Sequence, residues 1–456
     1  MIERRHRAAA LMTCAIATLA AHAQTPSPLD LSLEEARQRL LGVSDAVAAA
    51  DANVHGKETL SAATNHLRLP EVSLDARYLQ FQKTLELPLG SLAPVAEAYG
   101  IPSPLRFEDR DRKLRPLLTA VLPLYTGGKI PAAQAAAAAA ARQAAAERAQ
   151  QLDMLSTQLV QSYFGEQLAG QALAVRKDVR DGLEGHLANA EKLEREGFAT
   201  KAQRLQATVA RDSAAREYQK AYNTRDTTAT TLTQLLHSDT PVHATTPLFV
   251  NAAPVGERQE YVDAALANHP QIARLKALSE QGAQGVRVAQ AELKPQIFLF
   301  GSYDLHRHDA LILDPDWVFG IGLKYTFLSG RDRPRQISAA RDQQRQAEAG
   351  LREVANQLVI GVTKAWNDVE TARQQFVLLD SAISQARENL RLQQLSFREG
   401  RATPLDVIDA QLSLGGARLE RLQAAYTYDV ALAQLLEISG QSVRYDEYVH
   451  RADKVW

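Results

Sequence analysis

The sequence predicts a mainly α-helical chain built from two copies of one helix, strand, strand, long helix, helix unit, whose strands are of the membrane β-barrel type. Three observations predict it. The first is a repeat: Glu194-Arg195-Glu196-Gly197-Phe198-Ala199-Thr200 returns as Phe397-Arg398-Glu399-Gly400-Arg401-Ala402-Thr403, 203 residues on. The same shift carries Tyr163 onto Trp366 and Leu124-Tyr125-Thr126-Gly127 onto Phe327-Leu328-Ser329-Gly330, and a register held that long marks a duplication. The second is alternation of apolar and polar residues in short segments. The third is a pair of proline-poor stretches, each long enough for a helical rod of roughly 100 Å.

The first residues, Met1 to Ala23, have a basic start (Arg4, Arg5, Arg7), an apolar stretch from Ala8 to Ala20 and the small-residue triplet Ala21-His22-Ala23. This reads as a secretory signal cut before Gln24. The single cysteine, Cys14, falls inside it without a lipidation pattern, so the mature chain is expected to have no acyl anchor, disulfide or thiolate metal site. No later segment offers the roughly 18 to 20 uninterrupted apolar residues of a transmembrane helix. The formal charge of −1 implies no nucleic-acid partner.

The first repeat is expected over residues 24–237, with strands at about 71–79 and 117–125 and a long helix over about 131–196. Val72, Leu74, Ala76 and Tyr78 interleave with Ser73, Asp75 and Arg77, so one face suits lipid or a core and the other suits water. Ala132 to Ala146 is almost all alanine, which favours helix and permits close backbone approach. Residues 238–258, rich in Pro, Thr and Ala, read as a linker.

The second repeat is expected over 259–439, with strands at about 296–304 and 317–327 and a long helix over about 335–398; residues 440–456 are a tail. Glu260 to Leu293 is helical with a break at Asn268-His269-Pro270. In the strand that follows the loop, Trp317, Phe319, Ile321, Leu323, Tyr325 and Phe327 share one face, and Trp317, Phe319, Tyr325 and Phe327 are its aromatic, membrane-facing residues. In the rod, Leu351, Val354 and Leu358 make one stripe and Val359, Val362, Trp366, Val369 and Phe376 a second, so the rod has two neighbours. Beyond Gly400, Leu405, Ile408, Leu412, Gly415, Leu419, Leu422 and Tyr426 follow at steps of three and four, a coiled-coil seam. Upstream the repeat shift becomes 225, placing Pro70, Val72, Leu74 and Tyr78 on Pro295, Ile297, Leu299 and Tyr303; the first copy therefore carries an extra loop between its strands.

Four strands cannot close a membrane barrel, which needs about eight, and an open edge in lipid is not tolerated. If the strands enter a membrane, several chains must share one barrel.

The signal peptide, the two helix-strand-strand-helix-helix copies, Asn268-His269-Pro270, Pro123-Leu124-Tyr125-Thr126-Gly127-Gly128 and the turn Arg398-Glu399-Gly400-Arg401-Ala402-Thr403-Pro404-Leu405-Asp406-Val407-Ile408-Asp409-Ala410-Gln411 together resemble the TolC family of outer-membrane efflux proteins. The resemblance covers essentially the whole mature chain. It implies a homotrimer with a twelve-stranded β-barrel in the outer membrane, continued by a twelve-helix α-barrel across the periplasm. It also implies contact with outer-membrane lipid, docking to a periplasmic adaptor (membrane fusion) protein and an inner-membrane pump of RND, ABC or MFS type, and no cofactor.

By that resemblance Arg195, Gly197 and Thr200, with Arg398, Gly400 and Thr403, form adaptor-docking helix tips. The plain alternative is that glycine ends each rod and threonine caps the next helix. Asp406 and Asp409 match the positions that ring the narrowest point of family tunnels, where six carboxylates would favour cations; the other reading is solvated helix acids. The family's gating arginine falls on Ala402, and the acidic position of the first copy on Gln203. Asp304, His306, His308 and Asp309 cluster in a strand-connecting loop, but His-x-His in a polar loop is usually only solvated, and no metal site is assigned. No catalytic constellation stands out.

The expected function is the outer-membrane exit duct of a tripartite efflux pump passing small molecules such as drugs and toxic compounds. The alternatives are the exit duct of a type I protein secretion system and, from another class, a secreted coiled-coil scaffold or adhesin.

Overall fold

The computed structural model describes residues 28–306 and 315–455. The expected signal with Cys14, and His308 and Asp309, lie outside the described residues. β1 (Leu29–Leu31) leads into α1 (Leu33–Val43) and α2 (Asp45–Ala63), then β2 (Glu71–Leu87), α3 (Ala93–Ala98) and β3 (Leu105–Tyr125). The rod α4 (Lys129–Arg195) turns into α5 (Lys201–Leu235), and β4 (Val242–Ala244) and β5 (Phe249–Val250) follow. The second half runs α6 (Arg258–Asn268), α7 (Pro270–Ala291), β6 (Gln296–Asp304), β7 (Trp317–Lys324), α8 (Arg333–Arg398) and α9 (Pro404–Ile438), ending in α10 (Tyr445–His450) and β8 (Lys454–Val455).

The element boundaries repeat with the sequence. α5 and α9 have 35 residues each, and both their first and their last residues stand 203 apart. Both end in the same way: His237 (φ 45°) and Gly440 (φ 68°), also 203 apart, take left-handed conformations. Upstream, α1 and α6 have 11 residues each, and the starts of α1 and α6, α2 and α7, and β2 and β6 are all separated by 225. Ser44 caps α2 by accepting from the Val47 N–H, and His269, at the equivalent position, caps α7 by accepting from the Gln271 N–H through Nδ1 at 3.1 Å. Pro270 at the first position of α7 has no N–H to satisfy there.

The change of shift lies in the hairpins. β2 and β3 have 17 and 21 residues against 9 and 8 in β6 and β7, so the expected strands at about 71–79 and 117–125 are only the base of a much longer ribbon. The segment read as an extra loop is mostly strand: Leu79 to Leu87 alternates with reversed polarity except at Lys83 and pairs residue for residue with Leu105 to Lys113, in which 108–113 are all charged. β7 is shorter than expected and stops at Lys324, leaving Tyr325 and Phe327 beyond the strand, where their rings pack edge to face at 4.6 Å. The strands form one antiparallel sheet in the order β2-β3-β6-β7.

The segment 238–258 is not an irregular linker. β4 pairs in parallel with β1, and β5 pairs with β8; Leu248, Phe249 and Val250 are buried. The backbone polar groups of a buried connection need partners, and these short pairings supply them.

By contacts the chain forms two compact units that cut across the repeats, since each rod contributes to both: residues up to 43 with 162–248 and 383–422, and residues 44–161 with 249–382 and 423–456. In the first, Val407, Ala410 and Leu414 of α9 pack on Ile383 and Leu390 of α8, while Ile408 packs with Val179 and Leu183 of α4 and Ala214 of α5. The expected seam of α9 is therefore corrected: Leu405 and Leu412 stand about half exposed, at 48 and 47%. A helix with neighbours on two sides buries a broad arc, not the narrow stripe of a two-helix coil. In the second unit, Phe249 meets Tyr428 and Tyr445 edge to face, each at 6.1 Å. Of the expected stripes on α8, Leu358, Val362, Val369 and Phe376 are buried and Val359 is exposed.

Candidate functional site

The sheet presents two faces of different character. Because β2 pairs with β3 without interruption and β3 with β6 in register, Val72, Leu74, Ala76 and Tyr78 lie on the same side as Leu118, Ala120, Leu299 and Tyr303. The β6-β7 register adds Trp317, Phe319, Ile321 and Leu323 to that side. These side chains are uncovered in the single chain: Leu74, Trp317, Phe319 and Leu323 are 62 to 69% exposed. So continuous an apolar surface does not face water in a soluble monomer.

The opposite face is mixed: Phe298 and Phe300 lie over Gly322 and Gly320 of β7, while its β2 side is polar and paired. The Ser73 and Thr119 hydroxyls are 2.8 Å apart across β2 and β3. Arg115 donates to Asp304 at 3.1 Å and joins the two hairpins, and the second carboxylate oxygen of Asp304 accepts from the His306 N–H at 3.0 Å. Asp304, almost fully buried, is thus committed to that ion pair, and among the described residues no group of His, Cys, Asp and Glu is placed to hold a metal.

The helix turns are built twice from the same parts. Gly197 (φ 80°) and Gly400 (φ 72°) end the rods in the left-handed region, which glycine enters without steric cost. The N–H of Phe198 reaches the Leu193 carbonyl at 2.8 Å, and the N–H of Arg401 reaches that of Ser396 at 2.8 Å, the bond that closes a Schellman turn. Thr200 then caps α5: its N–H donates to Gln203 Oε1 at 2.7 Å while its Oγ1 accepts from the Gln203 N–H at 3.3 Å. Thr403 and Asp406 make the identical pair, at 2.7 and 3.3 Å. Both are capping boxes.

Asp406 therefore has a structural task. The Thr403 hydroxyl and N–H both donate to its carboxylate, and these bonds hold its pKa below the ordinary aspartate value. Asp409, one turn on, is exposed. The two share an uncovered stripe of α9 with Leu405 and Leu412. Arg195, Gly197, Thr200, Arg398, Gly400 and Thr403 are all exposed, so turn geometry and surface availability coexist at each tip.

One residue of this region escaped the sequence reading. His186 of α4 is 6% exposed, its ring lies 5.1 Å from that of Phe397, and its Nε2 has no hydrogen-bond partner. Burial pushes its pKa below the usual histidine value, opposed only in part by the Pro404 backbone. It lines a pocket of about 360 Å³ with Asp181, Asn189, Arg398 and Gln411. Close approach of α4 and α9 is reciprocal: Gly182 gives room to the Gln411 side chain and Gly415 to Val179. The signal was the helical spacing of Val179, Leu183, His186 and Ala190, an apolar stripe with one histidine in it.

Comparison with known proteins agrees with this geometry. Residues 261–441 match the family model of outer membrane efflux proteins. The chain is 25% identical over 205 residues to the outer membrane protein TolC of Vibrio cholerae, 43% of this chain and 46% of that one. It is 25% identical over 198 residues to the outer membrane efflux protein BepC of Brucella suis, 41 and 42% of the two chains. The matched stretch thus spans a little under half the length of these relatives. Among solved structures, CusC superposes with a TM-score of 0.74 at 17% identity, covering 90% of this chain and 92% of that one. The outer membrane protein VceC of Vibrio cholerae gives 0.71 at 18%, covering 90 and 96%. The open MtrE channel of Neisseria gonorrhoeae gives 0.71 at 18%, covering 90 and 89%. The fold, a helical domain with a curled β-sheet, is shared with these channels along nearly the whole chain.

Proposed function

From the match of residues 261–441 to the outer membrane efflux protein family and the likeness to TolC, we propose that this chain is a TolC-family protein and forms the outer-membrane exit duct of a tripartite efflux pump. The observation that carries the reading is the four-stranded sheet: apolar on one face, carrying Ser73, Asp75, Arg77, Thr119 and Asp304 on the other, with β2 and β7 each paired on one side only among the described residues. An open edge has no partner in hydrocarbon. Closure by a second copy would give eight strands, whose interior side chains fill, leaving no room to hydrate Ser73, Asp75 and Arg77. Closure by three copies gives twelve strands and an aqueous lumen. In this reading the apolar face meets outer-membrane lipid, with Trp317 and Phe319 in the strand and Tyr325 and Phe327 just beyond it.

The helices of three chains form the periplasmic part of the duct. The tips at Arg195, Gly197, Thr200, Arg398, Gly400 and Thr403 dock a periplasmic adaptor, and an inner-membrane pump drives transport. Asp406 and Asp409 line the aperture. The duct is passive and its partners supply the energy, so no acid, base or nucleophile of this chain is given a chemical role. Its cargo is small molecules. The test is planar-bilayer recording of the purified protein: cation-selective single channels support the duct, and a protein that stays soluble without detergent and never conducts refutes it.

A further inference from the structure

The β2-β3 ribbon reverses its polarity part-way along. Its seventeen residue pairs follow one another without a bulge from Glu71↔Val121 to Leu87↔Leu105, so even-numbered residues of β2 keep one side throughout. Up to Tyr78 the apolar residues are the even ones, on the lipid-facing side. From Leu79 onward the apolar residues of β2 are the odd ones, Leu79, Phe81, Leu85 and Leu87. The register places Lys113, Asp111 and the Lys83↔Asp109 pair on that side too, so it is wholly apolar only at the tip, where Leu85 and Leu87 stand opposite Phe107 and Leu105. The β3-β6 pairing ends at Leu117↔Asp304, so among the described residues this part of the ribbon has no third strand beside it.

The even side of the extension is already satisfied. Gln82 donates to Glu108 at 2.6 Å, Arg110 donates to Gln82 at 2.8 Å, and Arg110 pairs with Glu108 at 3.2 Å. That is a surface for water. At the tip the odd side is apolar and exposed, with Leu87 at 49% and Phe107 at 57% exposure. A two-stranded ribbon is marginal in water unless a face is covered, and an apolar ribbon face left open invites association.

The same parity says what covers it. The odd side continues the face that carries Ser73, Asp75 and Arg77, which looks into the lumen when three sheets close. At about 3.3 Å per residue, nine further pairs extend roughly 30 Å. A twelve-stranded barrel with the usual strand spacing and tilt has a radius on the order of 12 Å, so ribbons that lean inward reach the axis. We infer that the occupant is the same ribbon of the two other protomers: three copies fold over the outer mouth and pack their apolar tips around the axis. They form an apolar constriction at the exit. This rests on the trimeric-duct reading.

The test uses the full chain with Cys14→Ser and single cysteines on either side of the ribbon: Leu85→Cys and Phe107→Cys on the odd side, Gln82→Cys and Glu108→Cys on the even side. Cβ atoms must come within about 4.5 Å to form a disulfide. On oxidation in outer-membrane vesicles, the odd-side variants should give about tenfold more cross-linked dimer on non-reducing gels. The even-side variants should stay single and react with a membrane-impermeant maleimide. Equal cross-linking on both sides, or odd-side cysteines that remain uncross-linked and freely labelled, would overturn the cap and leave the face to an external partner. As a second readout, Phe107→Ser should raise single-channel conductance by about twofold; unchanged conductance would overturn the constriction. Light scattering of each variant separates the two readings, since a single-chain mass would refute the shared barrel itself.

Discussion

The Trp366 indole donates to the Gly256 carbonyl at 2.9 Å, and it is the counterpart of the bond from the Tyr163 hydroxyl to the Leu31 carbonyl at 2.7 Å. The donors stand 203 residues apart and the acceptors 225, the two shifts of the duplication. In each repeat an aromatic residue within the rod ties down the segment that enters the first helix of that repeat. The first copy does more. Tyr163 is fully buried, and its oxygen also accepts from the N–H groups of Thr245 and Thr246 at 2.9 and 2.7 Å.

The two substitutions should therefore differ in cost. Tyr163→Phe removes three part-buried hydrogen bonds, leaving the Thr245 N–H its second acceptor at Leu31 but the Thr246 N–H without this one, and should lower stability by about 1 to 3 kcal/mol, whereas Trp366→Phe loses one neutral bond, about 1 kcal/mol. Denaturant midpoints followed by circular dichroism measure both. Equal losses would count against the clamp at Tyr163.

The aperture role proposed for Asp406 and Asp409 should be separable into two parts. Asp409→Ala should reduce cation selectivity and block by divalent cations in single-channel recordings while leaving the tip intact. Asp406→Ala should do the same and also fray the start of α9, because Thr403 loses its capping partner. Asp406→Asn, which keeps an acceptor, should restore the cap but not the selectivity. Selectivity unchanged by either alanine would remove these carboxylates from the aperture.

His186 gives the tip an acid sensitivity of defined sign. Its folded pKa lies below the unfolded value, so the unfolded state binds the extra proton first. The stability that His186 contributes is complete above the unfolded pKa and is lost as pH falls through the folded one. Channels should open more often as pH drops from about 7.5 to about 5.5, and His186→Phe should flatten that dependence. A wild-type response that survives His186→Phe would assign the effect elsewhere.

Asp429 should behave in the opposite way. Its carboxyl is fully buried, one oxygen accepts weakly from the Phe249 N–H at 3.4 Å, and the other has no partner. Burial raises its pKa well above the ordinary value. The acid ionises less readily in the fold than in the unfolded chain, so its contribution is present at low pH and lost as pH rises. Asp429→Asn should raise the thermal midpoint at about pH 8 and gain much less near pH 4. A gain independent of pH would contradict the raised pKa of Asp429.

Docking is testable by charge. Arg195→Glu with Arg398→Glu should weaken co-purification with a periplasmic adaptor and leave bilayer conductance unchanged. Retained binding would shift the docking surface away from the tips.

The duplication, the rods and the turns were legible because they are local. Glycine at a left-handed turn and threonine three residues before an acceptor are fixed by backbone chemistry within a few positions. The strand ends were not. Leu79 to Leu87 alternates in the opposite phase to Val72 to Tyr78, with Lys83 breaking the apolar row, and period alone does not say which face a residue meets. The pairings of β1 with β4 and β5 with β8 join segments far apart in sequence, too short to carry a pattern. Asp406 was read for its charge alone. Its part in a capping box emerges from comparison with Gln203, which does the same work without charge.

The central claim is that three chains close their four-stranded sheets into one barrel. Native mass spectrometry of the protein released from detergent micelles measures this directly. The account predicts a single species of three chains that persists on dilution and conducts when reconstituted. A single-chain species, or a two-chain one, would contradict it.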